Sequence, residues 1–143
     1  MIKIRHYTES DLEALTGLMT DLGYPATLEE MSKRMGLINS NPNYFTFVAT
    51  LDERVVGMMG ITLHITYTND NLKTQITSLV TKKEYQGQGI GKELIKYAEV
   101  WSNSKGSDFM YLTSGISEKR VSAHEFYKHL GFEITGYRFV KQI

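Results

Sequence analysis

Near the middle of the chain the apolar period changes abruptly. From about Lys73 to Thr81 the residues read as a strand, whereas Ile90, Leu94, Ala98 and Trp101 recur four, four and three apart, the spacing of one helix face. The break between the two patterns is Tyr85-Gln86-Gly87-Gln88-Gly89-Ile90-Gly91-Lys92, with glycine at every second position from Gly87. A strand that runs through such a turn into an amphipathic helix constrains the whole fold, because strands and helices must share one core.

The remaining elements follow without a flexible linker. Met1 to His6 alternates apolar and polar residues as a first strand. Leu12, Leu15, Leu18, Met19 and Leu22 mark a helix that starts at the Thr8 and Asp11 signal and ends near Gly23. Thr27 and Glu30 have capping-box spacing in front of Leu28, Met31, Met35 and Ile38, which predicts a second helix ending near Asn39. Tyr44 to Leu51 and Val55 to Tyr67 are predicted to pair as a hairpin around Asp52-Glu53-Arg54, and the strand from Lys73 follows the turn Asn69-Asp70-Asn71. Beyond the central helix and Gly106, Phe109 to Thr113 reads as a strand and Arg120 to Leu130 as a helix stopped by Gly131. Phe132 to Val140 then reads as one or two final strands with a turn near Gly136. The order β-α-α-β-β-β-α-β-α-β-β predicts an α/β sandwich.

Composition narrows the chemistry. A chain of 143 residues fits a single domain over 1–143 better than two domains with cores of roughly 70 residues each. Sixteen Lys and Arg balance sixteen Asp and Glu, so the basic footprint of a nucleic-acid binder is missing. No apolar run approaches the roughly 18 residues of a membrane-spanning helix, and the start lacks the apolar core of a signal peptide. A cytoplasmic protein with no nucleic-acid or membrane partner is expected. Without cysteine there is no disulfide framework, thiolate nucleophile or Cys-based metal site. No His/Asp/Glu cluster has metal-ligand spacing, so no metal is expected, and no serine sits in a G-x-S-x-G turn.

The glycines therefore carry the most information. Glycine costs about 0.5–1 kcal/mol inside regular structure and is favoured where φ is positive or a ligand approaches the backbone. The first-turn N–H groups of a helix lack intrahelical partners and sit at the positive end of the macrodipole, which makes an anion cradle, and Lys92 adds a full charge. An ordinary strand-to-helix turn with glycines for tight packing is the alternative. Two phosphate motifs fail. A P-loop places glycine where Gln86 stands and a hydroxyl residue where Glu93 stands, and the dinucleotide fingerprint from Gly87 meets Lys92 at its third glycine.

A third pattern fits. Gln86 to Gly91 resembles the Q/R-x-x-G-x-G/A signature of the GNAT N-acetyltransferase superfamily, and Ala123-x-x-Phe126-Tyr127-x-x-x-Gly131-Phe132 resembles the family's second recurrent motif. The element order is similar to that fold over essentially the whole chain. The resemblance implies a GNAT-like mixed, mostly antiparallel central sheet flanked by helices, with acetyl-CoA as acetyl donor. It implies that Gln86, Gly87, Gln88, Gly89, Ile90, Gly91 and Lys92 hold the pyrophosphate, and that the edges of Leu79, Val80 and Thr81 bond the pantetheine arm like an added strand. Thr81 stands where valine is most common and Lys83 where proline is frequent, neither of which changes backbone contacts.

Tyr127 matches the family tyrosine assigned as general acid for the departing thiolate, a role a phenol of pKa near 10 fills while neutral at pH 7. As a residue on a helical stripe it also reads as a core tyrosine. Arg120 replaces the asparagine that many members carry at the start of that helix, leaving phosphate contact open to Arg120 and cofactor contact open to His124.

A carboxylate base is missing from the strand Gln75-Ile76-Thr77-Ser78-Leu79, and His64 is the candidate replacement by pKa, with a water chain as the other route. The expected reaction is direct acetyl transfer in a ternary complex to a primary amine of a small molecule, and the resemblance implies an acceptor site at the loop of Tyr24 and the terminal segment of Tyr137. The pattern Arg120-x-x-Ala123-His124-x-Phe126-Tyr127 looks most like members acting on small amines, aminoalkylphosphonate acetyltransferases among them. A protein amine is an alternative acceptor. A non-catalytic acyl-CoA-binding regulatory module and another nucleotide enzyme are alternative functions. A homodimer is a further expectation, from exposed edge strands.

Overall fold

The computed structural model describes residues 1–117 and 120–143. It contains two compact units, residues 1–110 and 111–143.

The first unit is built on a mixed α/β plan around one sheet. Strands β1 (Ile2–His6), β2 (Tyr44–Leu51), β3 (Arg54–His64), β4 (Leu72–Thr81) and β5 (Ser107–Leu112) lie in sequence order, and the first four pair antiparallel. The hairpin register sets Leu51 against Arg54, so the turn is Asp52-Glu53, both left-handed, with φ of 49° and 65°. Beside the start of β4, Thr74 donates to Ser107 Oγ at 2.8 Å and Lys73 Nζ reaches Asp108 at 3.0 Å.

Helix α1 (Leu12–Leu22) follows a 3₁₀ turn at Glu9–Asp11, where the Asp11 carboxylate accepts from the Thr8 N–H at 2.9 Å. It ends at Gly23, in the left-handed conformation with φ 102°. Helix α2 (Leu28–Asn39) begins with the expected reciprocal box. Thr27 Oγ1 accepts from the Glu30 N–H at 3.1 Å, and Glu30 Oε1 accepts from the Thr27 N–H at 2.9 Å.

Neighbouring residues of a strand face opposite ways, and β2 shows both layers. Val48 packs with Leu15, Leu18, Met31 and Met35 of α1 and α2. Phe47 turns to the other face and meets Tyr97 and Trp101 of α3 (Ile90–Ser104), with ring centroids 5.0 and 5.3 Å away. Phe45 adds an edge-on contact to Trp101 at 4.7 Å. Gly57 on β3 lets α3 approach, because a Cβ there would stand 3.0 Å from Ile90 Cγ2 and 3.1 Å from the Val80 carbonyl oxygen.

The second unit carries the end of β5 and α4 (Val121–His129), with Gly131 at φ 93° just beyond. The strands expected over Phe132 to Val140 are not formed, since residues 132–143 contain no regular element. Alternation satisfies the side chains of a strand but not its N–H and C=O groups, which need a neighbouring backbone. Ile134, Tyr137, Phe139 and Val140 consequently lie exposed.

Candidate active site

The β4–α3 connection sets the site's geometry. After Leu79, Val80 and Thr81, which pair with Met59, Met58 and Gly57, the Lys82 N–H donates to the Val56 carbonyl at 2.7 Å. A 3₁₀ turn at Lys83–Tyr85 and extended Gln86 lead into Gly87 and Gly89, both left-handed with φ of 82° and 83°. A Cβ added at Gly87 or Gly89 would meet no atom within 4 Å, so the loop is bare on the side where those side chains would stand. The first main-chain bond of α3 runs from the Glu93 N–H to the Gly89 carbonyl at 3.0 Å. The N–H groups of Ile90, Gly91 and Lys92 thus precede the helical ladder, and the exposed Lys92 adds positive charge beside them. Backbone donors on a bare loop at a fifteen-residue helix fit a diphosphate.

His64 lies elsewhere on the sheet. It pairs with Lys73, seven strand positions from the Gly57–Thr81 pair, or about 23 Å at the usual strand rise. Leu79, at the near end of Leu79–Thr81, pairs with Met59, five positions from His64 along β3. Tyr24 follows the end of α1 with its N–H on the Met19 carbonyl at 2.9 Å, and the residue is 71% exposed.

The second unit brings Arg120, His124 and Tyr127 onto one face of α4. The Arg120 Nε donates to Ser114 Oγ at 3.4 Å, and His124 Nε2 bonds the Gly115 carbonyl at 2.7 Å, which requires the proton on Nε2. Tyr127 sits against Phe126 and Phe132, with centroids 5.4 and 5.8 Å away. Burial pushes its phenol above the ordinary tyrosine value, with the Arg120 guanidinium working in the opposite direction. It is a protonated acid at neutral pH. Tyr137 is 91% exposed in the tail.

The first unit also holds a cavity of about 150 Å³ between α1, α2 and strands β2 to β4. Its floor is a β-bulge: Gly60 pairs with Ser78 and Ile61 with Ile76, so Thr77 is extra. A Cβ on Gly60 would come 2.7 Å from Thr77 Oγ1. Arg34 of α2 stands among the lining residues. Sequence reasoning passed over Arg34, although a cation within the Met31, Met35, Ile38 stripe was a usable sign. The bulge has no signal beyond a glycine inside a strand pattern. Among the described residues no three His, Asp or Glu side chains form a metal-binding group, and no helix is long and apolar enough to cross a membrane.

The sequence profile of the acetyltransferase (GNAT) family matches residues 12–132. The chain is 28% identical to an aminoalkylphosphonate N-acetyltransferase of Salmonella typhimurium over 99% of its own length and 91% of the relative's. It is 32% identical to an uncharacterized N-acetyltransferase of Methanocaldococcus jannaschii, over 90% of this chain and 76% of that one. A GNAT acetyltransferase structure from Staphylococcus aureus superposes with a TM-score of 0.86 at 26% identity, covering 99% of this chain and 98% of that one. The glycine loop, the sheet and these likenesses agree, and the chain belongs to the GNAT acetyltransferase family as an enzyme of the acyltransferase type.

Proposed function

We propose that the enzyme moves the acetyl group of acetyl-CoA to the primary amine of a small molecule, by direct transfer with both substrates bound. The observation that carries this reading is the bare, left-handed Gly87/Gly89 turn at the N-terminus of α3. Gln86, Gly87, Gln88, Gly89, Ile90, Gly91 and Lys92 would hold the pyrophosphate through main-chain N–H groups and the Lys92 charge. The main chain of Leu79, Val80 and Thr81 would hold the pantetheine arm, with Arg120 or His124 as further contacts. Bound acetyl-CoA supplies a thioester carbonyl and a thiolate leaving group. Tyr127 donates its phenolic proton to that sulfur, for which a raised pKa keeps it ready. With no carboxylate in Gln75–Leu79, the acceptor's proton leaves to His64 or through a water chain.

The two units work as one domain in this reading, which the profile match across the Met110/Tyr111 boundary supports. The likeness to the Salmonella aminoalkylphosphonate N-acetyltransferase supports a small-molecule acceptor. The place of action is the cytoplasm.

The experiment is a thermal melt with acetyl-CoA, CoA, ATP and NAD, followed by thiol release with amines. Acetyl-CoA at about 100 times its Kd stabilises by ~2.7 kcal/mol and raises the midpoint by several degrees. Tyr127→Phe keeps that shift and lowers kcat by about 10²-fold or more. An absent shift with acetyl-CoA in excess refutes the reading.

A further inference from the structure

From the cavity between α1, α2 and the sheet we infer that the amine acceptor carries an anionic group, a carboxylate, phosphonate or phosphate, read by Arg34. The inference rests on the acetyltransferase reading above and names the substrate class.

The lining is chemically lopsided. Met19, Met31, Met35 and Met58 supply apolar, adaptable wall, and Thr77 and Ser78 supply hydroxyls at the bulge of β4. Among the described residues no Asp or Glu lines the cavity, and Arg34 is the single formal charge there. A site built for a polycationic amine needs carboxylates, and this one offers the opposite sign.

Arg34 forms no ion pair among the described residues, and its electrostatic contact with a carboxylate is a longer-range one with Glu30, whose charged form it helps to stabilise. Its Nη1 contacts the Met31 sulfur at 3.6 Å, a weak acceptor that belongs to the cavity wall. Glu30, one turn earlier, spends its carboxylate on the Thr27 N–H at 2.9 Å. Among the described residues no carboxylate lies within 4.0 Å of the Arg34 guanidinium. A guanidinium that makes only a weak sulfur contact and no ion pair among the described residues, beside an apolar cavity, matches a carboxylate or phosphonate in bidentate geometry.

Size sets the limit. A cavity of about 150 Å³ falls below the 300–1,000 Å³ of drug-sized sites, which fits a short amine and leaves a multi-ring aminoglycoside outside.

The cavity and the glycine loop are testable apart. Melting midpoints are measured with 3-aminopropylphosphonate, 4-aminobutyrate, butylamine and sisomicin, each with and without saturating CoA, on the full chain and on Arg34→Gln. Acetyl transfer to the same four amines is measured in parallel. The expected result is stabilisation by the two anionic amines, at least about tenfold tighter binding than butylamine, and a fall to within about threefold in Arg34→Gln. In turnover the variant raises KM for the anionic amines and leaves kcat nearly unchanged. Equal or better binding of butylamine or sisomicin overturns the inference, as does stabilisation by none of the four or a preference that survives Arg34→Gln. A missing shift with acetyl-CoA, by contrast, refutes the acetyltransferase reading. The shifts with the anionic amines then still report whether the Arg34 cavity binds an anionic group, separately from the acetyltransferase reading. Arg34→Gln changes an exposed helix residue with no ion pair among the described residues, so the variant is expected to fold.

Discussion

Asp11 is a buried carboxylate held by donors from Arg5 and Thr8. Arg5 spans it with Nη1 at 2.7 Å and Nη2 at 2.9 Å, and the Thr8 N–H adds a bond at 2.9 Å. The Arg5 bond, above all, keeps the Asp11 carboxyl below the usual carboxylate range, against a partial offset from burial. A depressed folded pKa means that the stabilisation is complete above the unfolded value near 3.9 and is lost as pH falls through the folded value. Asp11→Asn should therefore cost about 1–2 kcal/mol at pH 7, discounted for the exposed Arg5 side. Urea titrations of both proteins should converge toward pH 2, and a difference that persists at that pH rules the account out. Tyr127 gives the opposite sign. Its raised pKa predicts no alkaline loss of activity from this group below about pH 10, which a kcat profile reads directly. Thr8 with Asp11 was visible in the sequence as a helix start, whereas Arg5 was not, because a strand residue meets a helix start only once the fold exists.

At the scale of elements, two glycines of one contact fail for different reasons when substituted. Gly89 has space but φ 83°, so Gly89→Ala stores roughly 1–2 kcal/mol of left-handed strain and reshapes the loop. Gly57 has ordinary φ but no space, so Gly57→Val drives methyls into Ile90 and the Val80 carbonyl at a cost of about 1–3 kcal/mol. Both variants should melt lower, and Gly89→Ala should also weaken stabilisation by acetyl-CoA more than Gly57→Val does. Equal weakening by both denies the loop its proposed role. Elements with local signals were legible: α2 spans Leu28–Asn39 as its box and stripe require, and β2 spans Tyr44–Leu51. The tail was not, because strand formation over Phe132–Val140 depends on a partner backbone that alternation cannot supply. The acceptor cavity was equally hidden, since its wall combines two helices and three strands that are distant in sequence.

For the whole molecule the open matter is cooperativity. The family profile runs from 12 to 132 across the boundary between residues 110 and 111. If both units form one domain, scanning calorimetry shows a single transition with equal calorimetric and van't Hoff enthalpies. Two separated transitions break the one-domain proposal and leave the glycine-loop reading standing, since that loop lies wholly in the first unit.

Trp101 is the chain's single tryptophan, and it is packed edge-on to Phe45 and Phe47 on the same helix that starts at the glycine loop. Along α3 it stands eleven residues from Ile90, about 16 Å at the usual rise. Its emission is thus an unlabelled optical gauge of whether α3 is docked on the sheet. A red shift on heating reports loss of that docking, while a constant spectrum as acetyl-CoA is added shows the helix serving its ligand as a fixed post.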